Sequence, residues 1–325
     1  PWLLTRDGLE QATRPEISTW RAHELRKAGV TRIIDATAGL GFDSWAFAEV
    51  GMDVTSIEAD PVTATFLRHN LPGIEVVQAP CQVALSNMNI SNAVVFVDPA
   101  RRDLTRSADG RRAHPERDPE LWSPPLSWVV ALAERTRVCA KVSPAMKPPV
   151  GWQATWTSVD RTVLDAFMSS WPLFAGSTRA HVMRGGQSHD LVAEDDVVLP
   201  RALAPLAYVH EVAPAVIRAA AVDRLGEPDA TTLRWSDSGR WITSDVPLAS
   251  AFLRGYRVVR ELPEDRKSRR RVLSDLHVKR AVAKTRDVDV DPRSILRDLG
   301  LSEGGSHVIV CARVEGRLRQ LLAEH

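Results

Sequence analysis

Apolar and polar residues alternate in blocks along the first half of the chain, and these blocks predict strands and helices in alternation. Short apolar runs predict five strands, which end near residues 35, 58, 77, 97 and 142. Periodic patterns predict helices over residues 19–27, 43–50, 61–70, 82–88 and 128–135. Strands that are apolar on both faces and alternate with helices are typical of a parallel sheet covered by helices on both sides. The pattern therefore predicts an α/β fold.

The pattern changes in the second half of the chain. Two strand-like stretches, 154–159 and 179–183, flank a short apolar segment at 163–174. The run Gly185-Gly186-Gln187-Ser188 predicts a linker. Beyond it the sequence predicts helices over 213–225 and 293–299 and strands over 240–243, 256–259 and 307–313. This mixture is typical of a separate α+β domain.

Length and composition are those of an ordinary soluble protein, with room for two domains in 325 residues. We predict an N-terminal helical segment at 1–30 packed on an α/β domain at 31–190, and a smaller α+β domain at 191–325. The three cysteines lie far apart, which favours a reducing cytoplasm and gives no metal signature. No apolar run approaches the ~20 residues that span a bilayer. The chain starts at Pro1 without a methionine, so we expect the natural chain to begin earlier.

A net charge of +1 conceals clusters of basic residues. One cluster consists of Arg101, Arg102, Arg106, Arg111, Arg112 and Arg117. A second consists of Arg266, Lys267, Arg269, Arg270 and Arg271, followed by Lys279, Arg280, Lys284 and Arg286. Such clusters on a nearly neutral protein favour a local polyanion-binding surface, the alternative being a solvated charged face.

Residues 31–61 form a strand, a small-residue loop, a helix and a second strand. The first strand ends at Asp35, the loop includes Gly39 and Gly41, and the second strand ends at Glu58. In such a β-loop-α-β unit a ligand approaches the loop backbone, and the second acid holds a ribose.

Two classes of nucleotide ligand use this unit. Dinucleotides need a third glycine and a helix N-terminus free for pyrophosphate, but the third glycine position here is Ser44. Asp35 and Asp43 flank the loop, and their carboxylates would repel a pyrophosphate. They suit S-adenosylmethionine, which carries an ammonium and a sulfonium. The structural alternative is that Asp43 only caps a helix and Glu58 only ends a surface strand.

Ligands of open parallel sheets bind at the carboxyl ends of the strands, where Asp98 and Lys141 also lie. Pro99 fixes the backbone after Asp98 and leaves the Asp98 carbonyl available as an acceptor. Methyl transfer is an in-line displacement, so most acceleration comes from aligning the acceptor with the sulfonium. Asp98 is therefore the candidate that positions the acceptor, unless Asp98-Pro99 is only a turn that ends the strand.

The segments DATAGLGFDS, IEADP and VDPARR resemble those of class I S-adenosylmethionine-dependent methyltransferases. The opening LEQATRPEIS resembles a segment of trimethylguanosine synthase-like enzymes. YVHEVAPAVIRAA, WITSD and the stretch 278–296 resemble a bacterial group with a THUMP-like C-terminal domain. The resemblance covers nearly the whole chain. It implies that the sheet ends in an antiparallel strand pair, for which the stretches 154–159 and 179–183 are the candidates. It implies a Rossmann-like seven-stranded methyltransferase sheet, the cofactor S-adenosyl-L-methionine and, because THUMP-type domains bind RNA, an RNA-modifying enzyme.

The motifs and strand ends together give the candidate site residues. We predict the catalytic residues to be Asp98, Pro99 and Arg101. We predict the cofactor contacts to be Asp35, Ala38, Gly39, Gly41, Asp43, Glu58, Ala59 and Gln78. We predict the substrate contacts to be Arg102, Lys141, Lys267, Arg269 and Arg270, and we predict no metal site.

Three departures from the family pattern affect these assignments. Amino-group methyltransferases usually have a base-stacking aromatic residue at the position of Arg101, whose guanidinium plane can also stack on a base. Uracil-C5 methyltransferases need a loop cysteine, but Cys139 lies within a predicted strand, which favours a buried core thiol. The third strand lacks the usual acid, so adenine would be held by backbone or by Gln78.

The leading hypothesis is methylation of a base, at a ring or exocyclic nitrogen, in ribosomal or transfer RNA. One alternative is a methyltransferase that acts on protein or on a small molecule. Another is a cofactor-binding module that binds RNA without catalysis. The basic clusters favour a nucleic acid over a small molecule, and the intact Asp98-Pro99 pair favours catalysis.

Overall fold

A computed structural model describes residues 1–100, 116–194, 196–226 and 230–325. The predicted site residues Arg101 and Arg102, and most of the first basic cluster, lie outside these ranges. Tertiary contacts divide the described chain into two compact units. The first unit is Pro1–Thr155 with Asp165–Ser177, and the second is Trp156–Leu164 with Thr178–His325. The predicted division at residue 190 stays a prediction.

The first unit alternates strands and helices, as the sequence pattern predicted. Its helices are α1 (Arg6–Gln11), α2 (Pro15–Lys27), α3 (Phe42–Glu49), α4 (Pro61–Asn70), α5 (Cys81–Asn87) and α6 (Leu126–Leu132). The strands of this part of the chain are β1 (Arg32–Asp35), β2 (Asp53–Glu58), β3 (Glu75–Gln78), β4 (Val94–Val97), β5 (Arg137–Val142), β6 (Gln153–Val159) and β7 (Thr162–Ser169).

These seven strands follow the order β3-β2-β1-β4-β5-β7-β6 along the sheet. Strands β1 to β5 are mutually parallel, and β7 runs antiparallel to β5. The register places Asp35 beside Ser56 of β2 and Phe96 of β4. The carboxyl ends of β1, β2 and β4 therefore meet at one edge, where the order reverses between β1 and β4 and where ligands of such sheets bind.

The core of this unit packs helices α2 and α3 against the sheet. It contains Leu25, Ile33, Phe47, Phe96 and Phe167, all buried. The rings of Phe47 and Phe96 meet edge-on, with centroids 5.4 Å apart. Strands β1 and β4 are buried along almost their whole length, which explains their uninterrupted apolar sequences.

The structure corrects the predicted antiparallel pair. The resemblance implies a pair formed by 154–159 and 179–183, but the strand next to β5 is β7, which includes most of the first half of the apolar segment 163–174. Asp165 interrupts the apolar run of β7, yet the structure buries it against Arg21. A buried charged residue of this kind interrupts the apolar pattern by which a strand is predicted.

The predicted linker is also wrong, because Gly185 and Gly186 form the turn of a hairpin. Strands β8 (Thr178–Arg184) and β9 (Gln187–Val192) pair antiparallel on either side of it. Both glycines have positive φ, 58° and 76°, the conformation that two-residue hairpin turns require.

The second unit contains a further sheet with two helices near its C-terminal strands. Its remaining strands are β10 (Tyr208–Val212), β11 (Thr232–Arg234), β12 (Trp241–Ser244), β13 (Leu253–Glu261), β14 (Arg280–Lys284), β15 (Ser302–Val314) and β16 (Arg317–Glu324). Its helices are α7 (Pro214–Arg218), α8 (Arg266–Asp275) and α9 (Pro292–Leu299). The strand order is β11-β12-β10-β13-β16-β15-β14, with only the β14-β15 pair parallel among the described pairs.

The sequence predicted one helix over 213–225, but α7 ends at Arg218 and a short 3-10 helix follows at Val222–Leu225. Ala220 between them has a φ of 55°, which an α-helix does not accommodate. Across the described ranges, no helix is both long enough and apolar enough to traverse a bilayer.

Candidate active site

Asp35 lies at the end of β1 and is almost fully buried. Its carboxylate accepts hydrogen bonds from the Ser44 hydroxyl at 2.7 Å and from the Thr37 backbone N–H at 3.4 Å. Burial, together with the nearby Asp43, raises the pKa of Asp35 to about 7. A cation bound beside Asp35 would therefore favour the ionised form of its carboxyl group.

Glu58, at the end of β2, links the glycine loop to the turn after its own strand. One carboxylate oxygen accepts the Gly39 backbone N–H at 2.9 Å, and the other accepts the Asp60 N–H at 2.8 Å. Partial burial raises the pKa of Glu58. A carboxylate has about four lone-pair sites, so this one keeps capacity for the two hydroxyls of a ribose.

The two loop glycines serve different purposes. Gly39 has a φ of 54°, and a Cβ there would meet nothing within 4 Å, so its side of the loop is open. Gly41 has a φ of 96°, and a Cβ there would lie 2.6 Å from side-chain atoms of Leu67 and Leu71. Gly41 is therefore required for packing against α4, whereas Gly39 leaves the loop backbone accessible to a ligand.

Asp43, on α3, is held by groups that sequence reasoning missed. Its carboxylate accepts the Thr13 hydroxyl at 2.6 Å and a guanidinium N–H of Arg21 at 2.6 Å. The same guanidinium contacts Asp165 of β7 at 3.0 Å and lies 5.1 Å from the ring centroids of Phe96 and Phe167. Burial alone would lower the pKa of Arg21, but Asp43 and Asp165 outweigh it and raise that pKa. Arg21 is therefore a charged bridge between α2, α3 and β7.

Asp98 ends β4 next to Lys141 of β5. The Lys141 ammonium donates to the Asp98 carboxylate at 2.5 Å, and the Asp98 backbone N–H donates to the Thr37 hydroxyl at 2.7 Å. Burial would lower the pKa of Lys141, but Asp98 and Asp43 outweigh it and raise that pKa. Lys141 is therefore a permanent cation beside Asp98, and Thr37 ties the glycine loop to the end of β4.

Together these groups form what we call the acidic centre, which combines carboxylates from four strands and a helix with two cations. Its members are Asp35, Asp43, Glu58, Asp98 and Asp165 with Arg21 and Lys141. The excess of carboxylates disfavours a phosphate and favours a ligand with positive charges. The open side of Gly39 and the free capacity of Glu58 fit S-adenosylmethionine, whose adenosine carries a ribose and whose methionine part carries an ammonium and a sulfonium.

The other predicted cofactor contacts of this unit differ in burial. Ala38 is a buried residue of the loop next to Gly39, while Ala59 and Gln78 are exposed at the ends of β2 and β3. Cys139 is fully buried in β5 and burial raises the pKa of its thiol far above the ordinary value, so the predicted core role is confirmed.

The predicted substrate contacts Lys267, Arg269 and Arg270 lie in the second unit, on α8. Lys267 is exposed and Arg269 is partly buried. Arg269 donates to the Pro263 carbonyl at 2.8 Å and to the Gln320 side chain at 2.7 Å. Arg270 donates to the Asp298 carbonyl at 2.8 Å, near the end of α9. The two arginines therefore hold α8 in place, and of the three side chains Lys267 is the most available to a ligand.

The sheet order, with antiparallel β7 beside β5, is that of the class I methyltransferase fold, and the acidic centre lies at the carboxyl ends of its parallel strands. Residues 9–109 match the family described as "Putative SAM-dependent methyltransferase", and residues 253–325 match the family described as "THUMP domain-like". The first part of the chain is therefore similar to S-adenosylmethionine-dependent methyltransferases, and its C-terminal part is similar to THUMP domains. The protein is a methyltransferase whose cofactor is S-adenosylmethionine.

Similar proteins extend along most of the chain. An uncharacterized S-adenosylmethionine-dependent methyltransferase of Mycobacterium tuberculosis is 28% identical over 324 residues, which cover 96% of this chain and 85% of that protein. Ribosomal RNA small subunit methyltransferase J of Coxiella burnetii is 33% identical over 90 residues, 24% of this chain and 35% of that protein. A crystal structure of a putative methyltransferase from Porphyromonas gingivalis W83 covers 98% of this chain and 82% of its own, with a TM-score of 0.73 and 17% identity, and so shares the fold.

Proposed function

We propose that the protein transfers a methyl group from S-adenosylmethionine to a nitrogen of a base in ribosomal or transfer RNA. The observation that carries this proposal is the Asp98 carboxylate at the end of β4, held beside Lys141. The THUMP-like segment and the partial similarity to a ribosomal RNA methyltransferase support RNA as the substrate. Separate, buried thiols at Cys81, Cys139 and Cys311 support a reducing cytoplasm as the location.

The residues of the acidic centre have distinct roles in this proposal. Glu58 accepts the ribose hydroxyls, and Asp35 ionises to balance the positive methionine part. S-adenosylmethionine supplies the activated methyl group when it is bound. Asp98 accepts a hydrogen bond from the acceptor amine and orients its lone pair, which is the alignment that in-line transfer needs. Lys141 fixes the Asp98 side chain through their ion pair.

Arg21 stabilises this arrangement from the interior of the first unit, where it is fully buried. Its guanidinium holds Asp43 and Asp165 on two elements that are 122 residues apart in sequence, since α3 and β7 meet only in the folded chain. An uncompensated carboxylate in this interior would be costly, so we expect Arg21 to be needed for folding of the site rather than for contact with substrate.

The test is transfer of labelled methyl from S-adenosylmethionine to total RNA from a strain that lacks the protein, followed by nucleoside analysis. We expect the label in a single modified base, in RNA from the deletion strain but not in RNA from the parent strain. Label in protein or in small metabolites, with none in RNA, would overturn the RNA assignment and favour the alternative substrates.

A further inference from the structure

The second unit contains four cations grouped around one buried carboxylate, and this group takes no part in the proposed transfer. Glu211 on β10 is almost fully buried. Its carboxylate oxygens lie 3.3 Å from Arg161, 3.5 Å from Lys284 and 3.3 Å from Arg286. Arg254, directly opposite Glu211 on β13, stacks over the Tyr256 ring at 5.8 Å. We call Arg161, Arg254, Lys284, Arg286 and Glu211 the cation cluster.

The cluster forms because the second sheet is strongly curved. Three strands separate β10 from β14 in the sheet order, so a flat sheet would hold them roughly 19 Å apart. Nevertheless Lys284 of β14 reaches Glu211 of β10. The Arg240 side chain closes the same side by donating to the Arg286 carbonyl at 2.6 Å. Cations from distant strands and from the β6-β7 turn therefore converge in one place.

The charges of the cluster are not balanced. Asp287 follows Arg286 in the sequence, but its carboxylate accepts from the Ser238 hydroxyl and from the Arg313 backbone N–H. Burial lowers the pKa of Lys284, and Arg254 and Arg161 lower it further against the opposing effect of Glu211. Elsewhere in this unit an arginine typically meets one acid, as Arg234 meets Asp223. Four cations around one carboxylate repel each other, and an added anion would relieve that repulsion.

Arg161 is placed by the two-residue hairpin turn between β6 and β7. It has a φ of 69°, and Asp160 before it has a φ of 44°. Both values are those that a two-residue hairpin turn requires. The turn directs the Arg161 guanidinium onto Glu211, where it also donates to the Glu211 carbonyl at 3.2 Å.

The cations remain accessible to a ligand. The exposed fractions of the Arg161, Lys284 and Arg286 side chains are 17%, 21% and 47%. Each side chain therefore keeps donors that a bound group can use. Guanidinium and ammonium groups in such a set match the several oxygens of a phosphate.

We propose that the cation cluster binds a phosphate group and that, on the RNA substrate of the proposed function, this group is a backbone phosphate. The first part stands on the cluster alone, and the second rests on the proposed function. Phosphate contacts of this kind fix the register of an RNA on a protein without reading its sequence.

The test compares two double variants of the full chain that remove the same charge. Lys284→Gln with Arg286→Gln changes the cluster. Arg224→Gln with Arg293→Gln changes two arginines of the same unit that each pair with one acid, Glu194 and Glu303. Fluorescence anisotropy measures binding of a fluorescein-labelled RNA hairpin at several salt concentrations. Thermal unfolding in inorganic phosphate, against chloride at equal ionic strength, reports the phosphate group without RNA.

We expect the cluster variant to bind the hairpin roughly tenfold more weakly and to lose about one unit of salt slope per contact, while the control variant keeps the wild-type slope. Phosphate should stabilise the wild type and the control more than the cluster variant. Equal slopes and equal phosphate effects in both variants would overturn the proposal. If inorganic phosphate stabilises the wild type and the control but not the cluster variant, and none of the three proteins binds the hairpin, the phosphate site would be supported. Its assignment to an RNA phosphate would be overturned.

Discussion

The acidic centre and the cation cluster are built in a similar way but with opposite charge. In the first unit, five carboxylates are grouped with two cations, Arg21 and Lys141, which pair with three of them. In the second, four cations are grouped around one carboxylate, Glu211, which pairs with three of them. In both, a buried ion holds its partners by hydrogen bonds and ion pairs, and the surplus charge is left for a ligand. The comparison indicates a cationic cofactor in one place and an anionic group in the other.

The largest effect that tests this comparison is expected at Asp98. Asp98→Asn removes the charge that aligns the acceptor amine, so we expect turnover to fall at least about a hundredfold while cofactor affinity stays nearly unchanged. The control is Asp53→Asn, which makes the same change on an exposed residue at the amino end of β2 in the same sheet. Methyl transfer to RNA and calorimetry with the cofactor give the two readouts. Near wild-type transfer by Asp98→Asn would remove this residue from the reaction.

In the cation cluster, the matching change is Glu211→Gln. It leaves three partly buried cations and the exposed Arg286 without the buried carboxylate at their centre, so we expect about 3 kcal/mol of destabilisation. Glu194→Gln, which breaks the more exposed pair with Arg224, should cost no more than about 1 kcal/mol. Chemical denaturation measures both. Inorganic phosphate should restore part of the stability of Glu211→Gln. Equal stability of Glu211→Gln and Glu194→Gln would contradict an excess of positive charge in the cation cluster.

The raised pKa of Asp35 makes a prediction about pH. An acid whose pKa is about 7 in the folded chain binds a proton that the unfolded chain has already lost. The Asp35 contribution to stability is therefore full below about pH 4 and is lost as pH rises towards 7, by up to about 1.4 kcal/mol per pH unit. Asp35→Asn should remove this slope in denaturation at pH 4 to 7, whereas Asp53→Asn should keep it. An unchanged slope in Asp35→Asn would mean that Asp35 is ionised throughout.

The smallest expected effect is at Glu58. Glu58→Ala should weaken cofactor binding roughly tenfold, the size of a lost charge-assisted hydrogen bond. Because Glu58 also holds the Gly39 N–H, the loss has two possible sources. Calorimetry with S-adenosylmethionine and with its 2′-deoxy analogue separates them. If Glu58 binds the hydroxyl, the variant and the analogue should not have additive effects; additive losses would assign Glu58 to loop structure alone.

Sequence reasoning found the strand ends of the first unit because apolar runs show where parallel strands stop. Asp35, Glu58, Asp98 and Lys141 follow directly from that logic, and the structure places all four at the carboxyl ends of their strands. The pair of Arg21 and Asp165 was missed because the two residues lie 144 residues apart. In the sequence Arg21 resembles an ordinary charged helix residue, and Asp165 only interrupts an apolar run.

The second unit was less predictable. The pattern of α8 shows a run of basic residues, but not that Arg269 and Arg270 donate to carbonyls of their own chain. The cation cluster draws on four separate segments, and only the curvature of the sheet brings them together. Spacing along the sequence carries no signal of that curvature.

The most direct test of the two opposite sites is steady-state methyl transfer with each substrate varied in turn. For Lys284→Gln with Arg286→Gln, we expect a raised KM for RNA with kcat and the KM for S-adenosylmethionine unchanged. For Asp98→Asn, we expect a reduced kcat with both KM values little altered. A cluster variant with a changed KM for S-adenosylmethionine and an unchanged KM for RNA would contradict the assignment of the two charges to two ligands.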